Sequence, residues 1–138
     1  MKRTVRRWGV GVLCLGVVVA AALPVSAAGP FDGVWFTNQS CPSIGFVRTF
    51  VGSVTENDAT ATLFGATFNM AIIVVDPVAG GWNVDLGMRT GSTMQGQVFN
   101  RIGIPLGTFA LTATSPTSMT GTAQIEGVSC SLAGTRVF

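Results

Sequence analysis

Glu56 and Asp58 lie two residues apart in the segment TEND, and a pair of carboxylates can act as the acid and base of glycosidic-bond hydrolysis. The Thr and Asn residues around them are typical of a solvated turn, where such acids are more often found. The segment also offers too few oxygen ligands for a dedicated Ca²⁺ site. We therefore expect a turn at 55–58 and no catalytic pair.

Other side chains that commonly carry catalysis are missing from the sequence. The chain has no histidine and no tyrosine, and its one lysine, Lys2, stands near the N-terminus. Serine and threonine therefore lack their usual general base. A glycine-rich phosphate-binding motif with lysine is also absent. The sequence predicts a protein without enzymatic activity, without a cofactor and, since histidine is missing and cysteines are few, without a metal site.

Residues 1–28 have the organisation of a secretory signal. A basic start is followed by an uncharged apolar run at 8–23 and by small residues up to Ala28. The apolar run is shorter than the roughly 20 residues that a membrane-spanning helix needs. We expect a signal-peptide helix that is cleaved after Ala27 or Ala28. We expect a bacterial protein that is exported to the periplasm or to the extracellular space.

Removal of the signal would reverse the net charge. The whole chain carries a formal charge of +2, but four of its eight basic residues belong to the signal. The four remaining arginines and the six carboxylates give −2. Binding to nucleic acid or to an anionic membrane surface needs clustered Lys and Arg. We expect neither nucleic acid nor, after cleavage, a membrane as a partner.

Two cysteines, Cys41 and Cys130, remain outside the signal, near opposite ends of the exported chain. An oxidising compartment favours a disulfide between them. The alternative is a pair of buried free thiols. We expect the disulfide.

Residues 29–138 have the pattern of short strands and turns that is typical of a single all-β domain. Short runs rich in β-branched and aromatic residues alternate with Gly, Asn, Asp, Ser and Pro clusters, and no segment has a helical period with caps. The sequence predicts an antiparallel meander of eight or nine strands closed into a small barrel, because closure removes exposed edges. A two-sheet β-sandwich is the alternative. The predicted strands are 33–39, 45–54, 58–64, 66–76, 81–89, 92–100, 104–114, 117–126 and 128–137.

One pattern of residues occurs twice, 25 positions apart. Each copy consists of a strand, a turn and a second strand in which Met is followed by Gly two residues later. The repetition predicts two adjacent hairpins of one sheet. The matching residues are Val84, Leu86, Met94 and Gly96 in the first copy, and Phe109, Leu111, Met119 and Gly121 in the second.

Alternation within two strands predicts their buried faces. In 81–89 the phase from Trp82 to Met88 is apolar and predicts the inner face, with Asp85 on the wet face. In 66–76 both phases are apolar. We expect a terminal segment of the chain to cover the outer face of that strand, and a partner surface is the alternative.

The ends of the domain carry a further pattern. Gly33-Val34-Trp35 begins the first strand, and Arg136 lies in the last. Together with the meander and the expected disulfide, these residues resemble the calycin group, the lipocalin-like and avidin-like secreted barrels. The resemblance implies that Trp35 closes the barrel floor and that Arg136 packs over its ring by cation–π attraction.

An eight-stranded barrel is wide enough to be filled by its side chains or to hold one small ligand. We expect an exported binding module that holds a small apolar ligand against Phe68, Met70, Trp82 and Met94. The alternative is a protein–protein interaction domain of the cell envelope, such as a hydrolase inhibitor or a structural component. An apolar cavity would favour the ligand, and a filled barrel with a contiguous exposed apolar patch would favour the protein partner.

Overall fold

A computed structural model describes residues 29–138, and the predicted signal at 1–28 lies outside them. The described chain contains eight strands and one short 3₁₀ helix. In that part of the chain no helix has the length and apolarity that crossing a membrane would require. The elements are β1 Gly33–Cys41, the 3₁₀ helix Pro42–Ile44, β2 Phe46–Leu63, β3 Ala66–Val75, β4 Trp82–Thr90, β5 Thr93–Asn100, β6 Pro105–Ser115, β7 Ser118–Ile125 and β8 Val128–Arg136.

The strands form a closed antiparallel barrel in sequence order. Each strand pairs with the next, and β1 also pairs with β8 over Trp35–Ser40 and Ser131–Arg136. The all-β prediction and the meander are confirmed, and the barrel is the correct one of the two architectures considered. Closure gives every strand two neighbours within the barrel, so that the barrel itself has no edge left to pair with another chain.

β2 spans what the sequence predicted as two strands and a turn. The strand continues through 55–58, where Glu56 is buried and Asp58 is exposed. The prediction of a solvated turn was wrong, because an irregularity in the β2–β3 pairing accommodates the extra polar residues within the strand. The two acids therefore have different environments, and only Glu56 is enclosed.

The hairpin of β2 and β3 bends where its register breaks, between Glu56 and Ala61. Bulges of this kind increase strand twist and redirect the chain. Beyond the break the hairpin, residues 57–69, folds back over the outside of the barrel, and we call it the flap. The Phe64 ring near its tip lies 5.4 Å from the ring of Phe99. Val98, its neighbour in β5, faces the interior, so Phe99 faces outward. Phe99 is nevertheless buried, because the flap covers it.

Side chains alternate between the inside and the outside of the barrel along each strand. The inward residues form one apolar core, to which every strand except β4 contributes. Its buried members are Phe31, Trp35, Phe50, Val54, Met70, Ile72, Val74, Met94, Val98, Phe109, Leu111, Met119 and Ala123, with Leu132 of β8 packed against them.

The repeated segments are the hairpins β4–β5 and β6–β7, adjacent in the sheet as predicted. Their registers differ near the turn. In the first hairpin Thr90 pairs with Thr93 and the pairing continues without interruption. In the second, the register shifts between Ala113 and Ser115. The two copies are therefore alike in sequence pattern but not in the faces that they present.

The extra residue of the second hairpin lies in β6, between Ala113 and Ser115. The inward and outward faces of β6 are therefore reversed relative to those of β4, because a one-residue slip turns every side chain over. Phe109 and Leu111 are in the core, whereas the corresponding strand β4 directs Asp85 inward. Trp82 and Met88 are exposed. The predicted inner face of 81–89 was wrong, because Asp85 pairs with Ile72 of the core and the opposite, apolar phase faces outward. Leu86 of that phase is buried outside the core.

The outer face of β3 carries an exposed apolar patch. Ile73 and Val75 are 45% and 43% exposed. Val75 pairs with Val51 on one side and with Trp82 on the other, and Val51 pairs in turn with Phe36. We call these five residues the outer apolar face. Within residues 29–138 the expected cover by a terminal segment is not found, because both ends of that range lie at one end of the barrel.

The predicted disulfide is present between Cys41 and Cys130. It joins the end of β1 to β8, next to the 3₁₀ helix, across a sequence separation of 89 residues. Both cysteine residues are buried. A bond that closes so long a loop stabilises the fold mainly by restricting the unfolded chain.

We predict that removal of this disulfide by the double substitution Cys41→Ser and Cys130→Ser lowers the free energy of unfolding by about 4–5 kcal/mol. Urea unfolding monitored by circular dichroism measures the change. Reduction of the wild-type protein with dithiothreitol should shift the midpoint in the same direction, and the double variant should not respond to dithiothreitol. An equal midpoint for oxidised and reduced wild-type protein would contradict the prediction.

Candidate functional site

One end of the barrel, which we call the closed end, is sealed by Trp35. Its side chain is fully buried, and its indole N–H donates a hydrogen bond to the carbonyl of Phe31 at 2.7 Å. The guanidinium carbon of Arg136 lies 4.9 Å from the centre of the indole ring. Arg136 also donates to the carbonyl of Pro30. The predicted pair of Trp35 and Arg136 is therefore in contact, with the cation–π geometry that the resemblance implied.

The glycine ahead of this tryptophan is required by its backbone. Gly33 has φ of +123°, a conformation that L side chains rarely adopt. A Cβ atom there would also meet the carbonyl oxygen of Phe138 at 2.2 Å. The last residue packs against the first strand because the amide of Val34 donates to that carbonyl at 2.9 Å.

A charged cluster that the sequence reasoning missed completes the closed end. Glu56 forms an ion pair with Arg89 and accepts hydrogen bonds from the amides of Phe31 and Asp32, at 3.0 and 3.1 Å. Asp32 in turn accepts from the Glu56 amide at 2.6 Å. These contacts hold the segment before β1 across the barrel. The chemistry is structural, since every acceptor in it faces a backbone amide or a cation.

The opposite end, which we call the open end, leads into the barrel. A basin of about 510 Å³ lies among the loops at this end. Below it is an interior cavity of about 50 Å³. The two spaces share part of their lining, and we call them together the path. The shared residues are Gln39, Arg48, Asn83, Val98 and Ile125.

Polar side chains stand where the basin meets the cavity. The Arg48 Nε–H donates to Gln39 Oε1 at 2.8 Å, and its guanidinium lies 3.8 Å from a carboxylate oxygen of Asp76. The guanidinium carbon is also 5.1 Å from the centre of the Phe50 ring. Backbone amides of the β3–β4 loop lower the pKa of Asp76, with a smaller contribution from Arg48. Arg48 is thus fixed at the mouth by three contacts.

Asp85 is a buried carboxyl group in the wall of the cavity. Burial raises its pKa from 3.8 to about 7, although a hydrogen bond from the Asn83 amide, at 2.6 Å, and the charge of Arg48 both act in the opposite direction. The group can therefore be neutral or ionised near neutral pH. It could donate or accept a hydrogen bond from a molecule in the cavity.

Thr37 adds a polar atom without a hydrogen-bond partner. Its side chain lines the cavity and is 1% exposed, and its hydroxyl oxygen has no partner among the described residues. Buried polar groups in folded proteins are nearly always satisfied, by protein atoms or by water or ligand. The hydroxyl of Thr37 is therefore available to a guest in the cavity.

The predicted ligand residues do not form one group. Met70 and Met94 are in the core but do not line the cavity, which begins above them. Phe68 lies at the base of the flap. Trp82 alone lines the basin, on its rim, with 46% of its surface exposed.

The sequence pattern placed Asp85 on the solvent-exposed face of its strand and singled out none of the other polar residues that line the path. Asn83 and Asp85 are candidate ligand-binding residues because the side chains of β4 at these positions face the interior of the barrel. Arg48 carried one signal in the sequence, a charged residue within an apolar strand. Within 29–138 no group of three or more His, Cys, Asp or Glu side chains is placed to hold a metal ion.

Comparison with known proteins leaves the family open. No protein-family model, curated protein or solved structure matches the chain. The closed eight-stranded barrel is compatible with a calycin-like barrel.

We predict that Asp85→Asn stabilises the protein above neutral pH. A carboxyl whose pKa is raised on folding contributes stability that is complete below 3.8 and is lost as the pH rises through about 7. Asparagine removes this loss, so the melting temperature of the variant should exceed that of wild type by more at pH 8 than at pH 5. The exposed Asp58→Asn is the control and should show no such difference. A parallel pH dependence of wild type and Asp85→Asn would refute the prediction.

Proposed function

We propose that the protein is a non-enzymatic binding module that takes a small, mostly apolar molecule into the open end of its barrel. The observation that carries this proposal is that the basin at the open end and the interior cavity share five lining residues, while Trp35 seals the other end. Ligand sites are typically concave and apolar with a few convergent polar groups, and this path has both features.

The sizes of the two spaces indicate how such a molecule would sit. The basin lies within the range of about 300–1,000 Å³ that holds small ligands, whereas the cavity below it admits only a small group. The body of the ligand would occupy the basin, against apolar residues such as Ile44, Leu106 and Ile125. Its narrow end would enter the cavity.

The polar atoms on the path favour a ligand that carries a hydroxyl or an amine at that narrow end. Thr37 offers an unpaired hydroxyl, and Asp85 offers a carboxyl that can accept from a hydroxyl or an ammonium group. Pairing these buried atoms would repay part of the cost of enclosing them. Arg48 would lie beside the ligand where it passes from the basin into the cavity.

The calycin resemblance supports the same function. In that group the floor is closed by a tryptophan and an arginine, and the mouth at the other end admits the ligand. Here Trp35 and Arg136 form such a floor. We expect the compartment of the protein to be extracellular or periplasmic, in keeping with the disulfide.

Fluorescence titration with N-phenyl-1-naphthylamine, an apolar amine that brightens in apolar surroundings, tests the proposal. We predict saturable binding that Val98→Phe weakens by about tenfold or more, since the larger ring fills the junction of basin and cavity. Ile73→Phe adds the same ring to the outside and should leave the affinity unchanged. Thermal melts of both variants check that they are folded, because a larger core residue can cost about 1–3 kcal/mol. Equal affinity in both variants would exclude the path as the site.

A second candidate function, protein–protein interaction, is favoured by the outer apolar face. Exposed apolar residues scattered singly are ordinary, but these five are neighbours across β1 to β4. A partner sheet, from another protein or from a second copy, could cover them.

Sedimentation velocity over a range of concentrations tests the self-association form of this candidate. If copies associate through the outer apolar face, the double substitution Val75→Thr and Trp82→Thr should abolish the association. Val137→Thr, at an exposed position outside the face, is the control and should preserve it. A wild-type protein that stays monomeric at every concentration would argue against self-association.

A further inference from the structure

Asp32 at the closed end is a carboxylate without a cation beside it in the described chain. The two ion pairs between side chains of residues 29–138 join Arg48 to Asp76 and Arg89 to Glu56. Asp32 accepts hydrogen bonds from two backbone amides instead. One of them belongs to Glu56, and the other, at 3.0 Å, belongs to Gly29. Arg89 and Arg136 supply the positive side-chain charge at this end, but neither forms an ion pair with Asp32.

Gly29 is held tightly in this position. A Cβ atom on it would lie 1.9 Å from a carboxylate oxygen of Glu56, so that no larger residue fits without displacing that buried side chain. Glu56 is itself fixed by Arg89 and by the amides of Phe31 and Asp32. The nitrogen of Gly29 thus lies next to one carboxylate, and its α-carbon lies next to another.

We propose that the signal is cleaved between Ala28 and Gly29 and that the new α-ammonium group of Gly29 forms an ion pair with Asp32, which fastens the closed end of the barrel. Hydrolysis consumes one water molecule, breaks the Ala28–Gly29 peptide bond and leaves a carboxylate on Ala28 and an amine on Gly29. Below its ordinary pKa of about 7.7–8.0 this amine carries a proton. The hydrogen bond already made by an amide would then become charge-assisted.

The charges that face the new terminus favour this arrangement. Asp32 and Glu56 are negative, and Arg89 balances Glu56. Arg136 is occupied above the Trp35 ring and with the Pro30 carbonyl. The ammonium group would place a positive charge in direct contact with Asp32, where neither guanidinium group pairs with it. Processing would therefore raise the stability of the exported domain over that of the precursor, in which the Gly29 nitrogen is an uncharged amide.

The sequence permits a selective test, because the only lysine, Lys2, leaves with the signal. The α-amine is then the one amine of the exported protein, and acetic anhydride at neutral pH removes its charge without touching another amine. The full chain is expressed with its own signal, and the exported protein is purified. Intact mass should place its first residue at Gly29.

Acetylation should lower the melting temperature at pH 7 by about 3–6 °C, the shift expected for a half-buried ion pair in a domain of this size. Reductive dimethylation, which keeps the positive charge, should lower it by less than half as much. At pH 10, where the free amine is neutral, acetylated and untreated protein should melt together. In Asp32→Asn, which removes the partner charge, acetylation should have no effect at pH 7.

Three results would overturn the proposal. A first residue other than Gly29 would refute the cleavage position. An acetylated protein that melts with the untreated one at pH 7 would refute the ion pair. Equal losses on acetylation in wild type and in Asp32→Asn would assign the effect to a group other than Asp32. Because acetylation uses the wild-type chain, the test does not depend on the folding of the variant.

Discussion

The pairing of β1 with β8 is the constraint on which the other features depend. It closes the sheet, and closure leaves each side chain either in a shared interior or on the outer surface. The disulfide holds the same two strands together at the open end. With the circumference fixed at eight strands, large apolar residues fill most of the interior, and a cavity of about 50 Å³ remains between them and the polar side chains of Thr37, Asn83 and Asp85.

The two ends of the barrel enclose their polar groups differently. At the closed end Glu56 pairs with Arg89 and with the backbone amides before β1, although the Nε–H of Arg136 there has no hydrogen-bond partner among the described residues, and Trp35 fills the centre. Such a network is rigid and has no room for a guest. At the open end Asp85 and Thr37 are enclosed without complete pairing. A buried carboxyl and an unpaired hydroxyl are costly in a structural role, and a bound molecule would lower that cost.

Much of the fold could be predicted from the sequence, whereas most of the candidate site could not. Local signals predicted three features. The two cysteines of an exported chain predicted the disulfide, the short β-rich runs between turn residues predicted the barrel, and Gly33-Val34-Trp35 predicted its floor. The faces of β4 depended on packing outside that strand, because its apolar phase turns outward, where Leu86 is buried and Trp82 belongs to the outer apolar face, and alternation within one strand cannot reveal this. Asp85 was consequently assigned to solvent. Glu56 was misplaced for a similar reason, since a pairing irregularity kept its segment within a strand.

A methyl NMR titration of the isotope-labelled protein with N-phenyl-1-naphthylamine tests the central claim, that the open end of the barrel is a binding site. The account predicts that the methyl signals of Val98, Leu111 and Ile125, which line the path, shift together and saturate, while those of Ile73 and Val75 on the outer apolar face stay in place. Shifts confined to Ile73 and Val75, with unchanged interior methyls, would contradict it and would assign binding to the outer face.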